Sequence, residues 1–406
     1  MSTPDLNRRD FLQAGAIAAT AVSGTAARAA DDPKPAPKPT LLPTRKLGKT
    51  GVDLTILNVG TWQSSGLDRL LRTAYAGGVR VVDTAASYGS EPGIAKWLKS
   101  DESIRKNIFL VSKSHPKTLA DLVPMLDQRL EQLGTDHLDL YFLHGIGAGG
   151  YGAASIDWPK SPEFAQVIEK IKKSGKAKFV GFSCHDARKV EYLNAAAEGG
   201  FVDAIMVQYN AWLDKDAPLN KAPDACHAKG IGLISMKQVA GQFQDDPNIK
   251  DIHERLPLLK EKGLTPYQAL LHAIWTDERM ATACVSMRNT DQIRDNLDAA
   301  RRFEPLKTAE MRQLRDAALA SGPTLCASCD GACAVAGKTD AALSDLTRFL
   351  TYHDHHGDRR EARAQYAALS DAARDWSGAD LAAAQAACPN HLDFAALLPK
   401  VVAKLA

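Results

Sequence analysis

The chain has 406 residues, of which 45% are hydrophobic and 24% are charged. This composition excludes a disordered or collagen-like chain and is ordinary for one large domain or two smaller ones. Fifty basic residues against 48 acidic ones give a net charge of +2, so no overall field favours nucleic acid. We therefore expect no nucleic-acid partner.

The first 29 residues have the pattern of an export signal. Arg8 and Arg9 precede a weakly apolar stretch, and Ala27-Arg28-Ala29 supplies a small-residue cleavage site. The pattern resembles a twin-arginine signal, which predicts recognition by the twin-arginine export machinery and a periplasmic or otherwise exported bacterial protein. The alternative is a frayed N-terminal helix. The stretch is too short and too weakly apolar to span a bilayer, so we do not expect an integral membrane protein.

Residues 30–43 are rich in Pro and Lys and predict an extended linker. After it, short β-branched runs alternate with longer amphipathic stretches, the pattern of repeated βα units. The predicted strands are Leu54 to Thr61, Arg80 to Thr84, Ile108 to Lys113, Leu138 to His144, Ala177 to Ser183, Ala204 to Asn210, Ile231 to Met236 and Thr282 to Met287.

Helical periodicity fills the intervals between these strands, for example over Leu119 to Leu133, Glu163 to Lys173 and Thr290 to Phe303. Eight such units in this length favour an α/β fold of the (β/α)8 TIM-barrel class, over residues 44–305. An open doubly wound sheet has the same local signature, but no G-x-G-x-x-G motif follows any strand.

Barrel enzymes place their chemistry where the strands end. Asp83, Tyr88, Lys113 and His144 lie at or just beyond the ends of three successive predicted strands. A carboxylate beside Lys113 would keep the ammonium charged, and the ammonium would pull the Tyr88 phenol below its usual pKa of about 10. The sequence therefore predicts a phenol that exchanges protons near neutral pH, with a neutral His144 beside it.

Four segments together resemble the aldo-keto reductase family: RKLGKTG from Arg45, DTAASYGSE from Asp83, LEQLGTDHLDLYFLH from Leu130 and VGFSCH from Val180. The resemblance implies a barrel that binds NADP or NAD without a Rossmann fold. It also implies that Tyr88 is the general acid, that Lys113 and Asp83 tune its pKa, and that His144 orients the carbonyl group.

The same resemblance implies a set of cofactor contacts. Cys184 stands where the family usually has an asparagine, and Ile234 replaces an aromatic residue that stacks on the nicotinamide. Arg288 is the candidate ligand of a 2′-phosphate, which gives a preference for NADP. The implied cofactor-binding residues are Gly60, Thr61, Trp62, Ser183, Gln208, Ser235, Lys237, Arg288, Gln292 and Asn296.

Trp62, Trp212 and the loop 145–159 are expected to form the rim of the pocket. An aromatic rim suits sugars and hydrophobic carbonyl compounds equally. The predicted partner is therefore a small carbonyl or alcohol substrate, with no choice between the two classes and no direction of reaction.

Residues 306–406 predict a mainly helical, cysteine-rich extension. Cys326, Cys329 and Cys333 form a C-x2-C-x3-C motif, and Cys388 precedes a proline. This resembles the ligand set of one 4Fe-4S cluster in a ferredoxin-like extension, which would add a redox partner. Structural zinc on the four thiolates, or with His353, His355 or His356 replacing one of them, and two disulfides are the alternatives.

The sequence thus predicts an exported aldo-keto reductase-like oxidoreductase that transfers a hydride between a nicotinamide cofactor and a carbonyl or alcohol. A barrel that only binds a nucleotide, as a redox-sensing or partner-binding module, is the rival interpretation. Replacement of Tyr88 by Phe separates the two, because only an enzyme would lose turnover.

Overall fold

The computed structural model describes residues 42–147, 151, 153–186, 188–209, 218–238, 252–321, 326, 331–354 and 359–406. The predicted signal at 1–29 and most of the linker lie outside these residues, as do Trp212, Cys329, His355 and His356. In the part of the chain that is described, no helix is both long enough and apolar enough to span a membrane.

Eight parallel strands close into a barrel in the order β10-β3-β4-β5-β6-β7-β8-β9. The predicted (β/α)8 class is therefore confirmed. The strands are β3 Leu57–Gly60, β4 Val81–Asp83, β5 Phe109–Ser114, β6 Leu138–Leu143, β7 Ala177–Cys184, β8 Ala204–Gln208, β9 Gly232–Met236 and β10 Met280–Ser286.

The strands are buried on both faces, and this burial includes most of their few polar residues. Every residue of β5 and β6 is buried, as expected for a parallel sheet enclosed by helices. The outer helices are α1 Leu67–Ala76, α2 Glu91–Lys99, α3 Glu102–Asn107, α4 Leu122–Leu133, α5 Pro162–Lys173, α6 Lys189–Gly199, α7 Pro218–Ala228, α8 Ile252–Arg255, α9 Pro257–Lys262, α10 Pro266–Thr276 and α11 Thr290–Arg301.

A hairpin precedes the barrel, made of β1 Thr44–Lys46 and β2 Asp53–Thr55. Arg45 ties it to the lower end of the barrel by donating to the carbonyl oxygens of Asp277 (2.9 Å) and Met280 (3.1 Å). The single strand predicted over Leu54 to Thr61 is therefore divided. Its first residues pair antiparallel with β1, and the barrel strand starts only at Leu57.

The C-terminal region is helical in its described part, as predicted. Its helices are α12 Thr308–Ser321, α13 Ala332–Ala336, α14 Leu343–Asp354, α15 Arg359–Ala368, α16 Asp371–Arg374, α17 Leu381–Ala387 and α18 Phe394–Leu405. From α13 onward these helices share an apolar core separate from that of the barrel, in which α14 packs against both α15 and α18.

Candidate active site

Four polar side chains meet at the carboxyl ends of β4, β5 and β6. Asp83 is the last residue of β4, Lys113 lies near the end of β5, and His144 directly follows β6. Tyr88 reaches the same place on a short 3-10 turn, Ala86–Tyr88, after β4. The structure thus brings together all four residues of the predicted tetrad.

The Asp83–Lys113 ion pair is the most deeply buried part of this group. The Lys113 ammonium donates to Asp83 Oδ1 at 2.5 Å and to the Thr84 carbonyl oxygen at 2.9 Å. The two charged side chains are only 1% and 2% exposed. A buried ion pair fixed by an additional hydrogen bond holds its geometry against solvent, so the ammonium has a defined position under the site.

Tyr88 lies over this ammonium. Its ring centroid is 5.2 Å from Lys113 Nζ, and its ring makes edge contacts with Trp62 at 5.0 Å and His144 at 5.6 Å. The phenol is half-buried. It is therefore close to a fixed positive charge and still reachable from the mouth of the barrel.

The surroundings keep His144 neutral and make the Asp83 carboxyl group harder to ionise. Burial lowers the pKa of His144 well below 6.5, and electrostatic interactions with His115, Lys113, His185 and Lys237 lower it further. Burial also raises the pKa of Asp83, against the opposing effect of Lys113. The Nδ1 atom of His144 is buried and has no hydrogen-bond partner among the described residues.

Sequence reasoning missed a second buried acid beside the tetrad. Glu91 opens α2 and is 2% exposed; it accepts from Ser112 Oγ at 2.7 Å and pairs with Arg129 at 3.1 Å. Burial raises its pKa. Glu91 is the last residue of the DTAASYGSE motif that begins at Asp83, so the family motif already contained it. Its bond to Ser112, which fastens α2 to β5, is not predictable from the motif.

The residues at the end of β3 support the tetrad from the side. Gly60 pairs with Asp83 and with Ser286, and a Cβ on Gly60 would lie only 3.0 Å from Ser286 Oγ. Thr61 donates its backbone N–H and its hydroxyl to the Asp83 carbonyl oxygen, both at 3.0 Å. Beyond them, an open cavity of about 470 Å³ lies between residues 61–67 and 88–93.

The residues predicted to hold the nicotinamide half of a cofactor lie at the carboxyl ends of β7, β8 and β9. Ser183 is buried and accepts the Gly145 N–H at 2.9 Å, and Gln208 is the buried last residue of β8. Ser235 is buried, and its Oγ has no hydrogen-bond partner among the described residues. Lys237 sits just past β9 with a left-handed φ of 59°. An orphaned buried hydroxyl beside a cation fits a polar, anionic ligand.

The residues predicted for the adenosine half lie around the start of α11. Asn289 caps this helix by accepting the Gln292 N–H at 2.9 Å, and Gln292 Oε1 accepts the Arg288 N–H at 2.7 Å. The Arg288 guanidinium is exposed and donates to Gln63 Oε1, beyond the end of the neighbouring strand β3, at 2.9 Å. Asn296 is buried one turn further along α11.

Two further side chains reach the mouth from the C-terminal helices. Tyr352 and Arg348 of α14 contact Gln208 and His185, more than 140 residues away in the sequence. Sequence reasoning did not predict them, because no local pattern marks a contact of that range.

Three of the four motif cysteines are described. Cys333 and Cys388 are buried, Cys326 is half-buried, and all three belong to the core of the C-terminal helices. Among the described residues, no group of three or more His, Cys, Asp or Glu side chains is placed to hold a metal ion. The described part of the motif therefore does not by itself form a ligand set.

Comparison with known proteins gives a consistent set of relatives. Yeast glycerol 2-dehydrogenase (NADP(+)) (Saccharomyces cerevisiae) is 25% identical over 61% of this chain and 83% of its own. L-Galactose dehydrogenase of Arabidopsis thaliana is 23% identical over 66% of this chain and 91% of its own. L-Glyceraldehyde 3-phosphate reductase of Escherichia coli O157:H7 is 22% identical over 66% and 90%.

Solved structures agree on the fold. A thermostable aldo-keto reductase in complex with the inhibitor epalrestat superposes with a TM-score of 0.55 at 25% identity, over 68% of this chain and 100% of its own. An aldo-keto reductase from Klebsiella pneumoniae in complex with NADPH gives 0.55 at 21% identity, over 69% and 96%.

The model of the Aldo/keto reductase family matches residues 57–318, which is more than half of the chain. The match begins at the first barrel strand and runs into α12. This chain is therefore a member of the aldo/keto reductase family of NAD(P)-dependent oxidoreductases, as its motifs predicted.

Proposed function

We propose that this protein reduces small hydroxylated, sugar-like carbonyl compounds with NADPH, or oxidises the corresponding alcohols, and that Tyr88 moves the proton. The observation that carries the proposal is the buried Lys113 ammonium, fixed 2.5 Å from Asp83 and 5.2 Å from the centre of the Tyr88 ring. The activities for which the yeast, Arabidopsis and Escherichia coli relatives are named support the polyol and sugar class.

The tetrad divides the acid–base work. The Lys113 ammonium stabilises the Tyr88 phenolate, so the phenol releases its proton to a carbonyl oxygen at the mouth and recovers one from solvent. Asp83 keeps the ammonium charged and in place. A neutral His144 donates a ring N–H to the same oxygen and so orients the carbonyl group.

A nicotinamide cofactor supplies and accepts the hydride when it is bound. Ser183, Gln208, Ser235 and Lys237 would hold its nicotinamide half, because they line the ends of three adjacent strands. Gly60, Thr61 and Trp62 would border the reacting end. The name of the yeast relative and the NADPH-bound structure from Klebsiella support NADP as the nucleotide.

At the adenosine half, the exposed Arg288 is suited to a 2′-phosphate, since its guanidinium forms paired hydrogen bonds to phosphate oxygens. Gln292 and Asn296 would line the same end, on the first two turns of α11.

Replacement of Tyr88 by Phe tests the proposal. With NADPH and DL-glyceraldehyde as probes, we expect kcat to fall by about 100- to 10,000-fold, because a positioned proton donor is lost. The dissociation constant for NADPH should change by less than about twofold. Tyr75→Phe, on α1 beside Trp97, is the matched control and should retain full turnover.

Equal turnover in Tyr88→Phe and wild type would exclude Tyr88 as the proton donor. Binding of NADPH without turnover of any hydroxylated aldehyde or alcohol by wild type would favour the rival interpretation, a barrel that binds nucleotide without reacting.

We also propose export by the twin-arginine route, which the Arg8-Arg9 pair and the Ala27-Arg28-Ala29 site support. Replacing Arg8 and Arg9 together by Lys should retain the uncleaved chain in the cytoplasm of a bacterial host. Normal appearance of that variant in the periplasmic fraction would overturn the export proposal.

A 4Fe-4S cluster on Cys326, Cys329, Cys333 and Cys388 is a separate proposal, supported by the motif and by the shared core of the three described cysteines. Anaerobically purified protein should contain about four iron and four acid-labile sulfide per chain, and Cys388→Ser should lower both. Stoichiometric zinc with no acid-labile sulfide would exclude the cluster and indicate a structural zinc site instead.

A further inference from the structure

Helix α14 presents two side chains to the mouth of the barrel. Arg348 and Tyr352 are four residues apart, so they lie one above the other on the same face of the helix. They are 3% and 0% exposed, respectively. A fully buried phenol and a fully buried guanidinium at the surface between two cores require specific partners.

The partners lie on the ends of consecutive barrel strands. Arg348 donates to the carbonyl oxygen of His185, which follows β7, at 2.8 Å. The Tyr352 hydroxyl accepts from Arg348 at 3.1 Å. It has the His185 carbonyl oxygen at 3.1 Å and Gln208 Oε1, at the end of β8, at 3.4 Å as acceptors for its one proton.

The contact extends to the strand after β8. Lys237, just past β9, places its ammonium 4.4 Å from the centre of the Tyr352 ring, within the range of a cation–π interaction. The Arg348 guanidinium is in turn held by Asp345 of the same helix at 2.5 Å. Helix α14 therefore carries a preset pair of side chains that fastens the ends of β7, β8 and β9.

Beside Tyr88, the described residues leave an opening. The cavity between residues 61–67 and 88–93, next to Tyr88, is open to solvent. Helix α14 thus lies against Gln208 and Lys237, whereas the described residues that line the cavity beside Tyr88 belong to the barrel. A small carbonyl compound can enter on the open side without any movement of α14.

We infer that Arg348 and Tyr352 form a latch that closes α14 over the nucleotide side of the barrel, so that a nicotinamide dinucleotide enters and leaves only while the latch is open. The inference rests on the proposed function, because it takes Gln208 and Lys237 as part of the nucleotide site. The latch is closed with and without the nucleotide, and it controls the rates of exchange rather than the affinity.

This arrangement has a kinetic signature. A weaker latch is open for a larger fraction of the time in both the free and the bound protein, so association and dissociation accelerate by the same factor. Loss of the Tyr352 hydroxyl removes the bond it accepts from Arg348 and the one it donates to the His185 carbonyl oxygen or to Gln208, which corresponds to about a tenfold increase in both rates. The dissociation constant stays within about twofold of wild type, since the factor cancels in the ratio of the rates.

The experiment uses the full chain and NADPH, with binding followed by stopped-flow fluorescence and release followed by displacement with excess NADP+. Tyr352→Phe keeps the ring and its contact with Lys237 and removes only the hydroxyl. Arg348→Lys keeps the charge opposite Asp345 but loses the branched guanidinium, and it serves if Tyr352→Phe does not fold. Tyr366→Phe, in the core of the same helices beside Arg374, is the matched control.

We expect both rates to rise in the two latch variants and to stay at the wild-type values in Tyr366→Phe. Three results would overturn the latch alone: unchanged rates, a faster release with weaker binding, or tighter binding with unchanged release. The second would make Tyr352 an ordinary contact of the nucleotide, and the third would make it a plug in the nucleotide's place. Failure of wild type to bind NADPH would overturn the proposed function itself and the latch with it.

Discussion

His144 is buried near basic side chains, and its protonation should couple to the stability of the whole protein. Its neighbours His115, Lys113, His185 and Lys237 all disfavour the imidazolium, and burial disfavours it more. The folded protein therefore keeps this ring neutral at pH values where an unfolded chain would already bind a proton.

The sign of the effect follows from that difference. Because the pKa of His144 is lowered from 6.5, the unfolded state binds more protons below about pH 6.5 and the free energy of unfolding falls with decreasing pH. His144→Asn should reduce this slope by up to about 1.4 kcal/mol per pH unit. Urea unfolding at pH 5 and pH 7 measures it.

The exposed His227, on α7, provides the control for this measurement. His227→Asn should leave the pH dependence of unfolding as it is in wild type. A slope that is the same in His144→Asn and wild type would mean that the histidine is not held neutral by its surroundings.

At the level of single elements, β7 depends on one close approach to its neighbour. Gly181 pairs with Ala204 of β8, and a Cβ at Gly181 would lie 1.8 Å from the Ala204 carbonyl oxygen. No rotation of a side chain relieves a contact with backbone. Since Ser183 and His185 follow on the same strand and its extension, a shift of β7 would reach both the nucleotide side and the latch.

We expect Gly181→Ala to lower the free energy of unfolding by about 3 kcal/mol, because the two strands must separate. Gly378→Ala is the control, since an added Cβ there meets no described atom within 4 Å. The measurement is the denaturant midpoint of each variant relative to that of wild type. If the two variants have similar denaturant midpoints, the close contact between β7 and β8 does not limit the stability of the protein.

The helices and strands differ in how well they can be predicted from the sequence alone. All eight barrel strands were predictable, because β-branched runs between amphipathic stretches are a local signal that needs no partner to be read. The tetrad followed from the position of polar residues at strand ends. The division of the first predicted strand was not readable, because it depends on pairing with β1, and Leu54 is as apolar as Leu57.

The contacts of α14 were hidden for a related reason. Arg348 and Asp345 look like an ordinary ion pair on the surface of a helix, and Tyr352 looks like a core residue. Arg348 and Tyr352 are in fact buried against His185 and Gln208. The hydrophobic periodicity of α14 contains no information about contacts with such distant residues. Glu91 was similarly visible as a motif residue, while its contacts with Ser112 and Arg129 depend on how α2 packs.

At the scale of the molecule, the barrel and the C-terminal helices have separate apolar cores. Leu398 on α18 is 0% exposed in the second core, whereas Val402, four residues later, is 44% exposed. Truncation of Leu398 leaves a cavity in the second core, and truncation of Val402 does not.

Leu398→Ala should destabilise the C-terminal helices by about 2–5 kcal/mol and accelerate amide hydrogen exchange in α14 and α18. The strands of the barrel should keep their wild-type protection, and NADPH release should become faster. Val402→Ala is the control on the same helix. Equal loss of protection in the barrel strands would show that the two cores unfold as one unit.

The order of elements along the chain gives the covered mouth a consequence for biosynthesis. The last barrel strand ends at Ser286, and α14 begins at Leu343. At translation rates of about 5–20 residues per second, the ribosome completes the barrel on the order of several seconds before it completes α14. During that interval the nascent barrel lacks α14, so under the proposed function a dinucleotide can bind to it without passing the latch, which forms only when α14 docks.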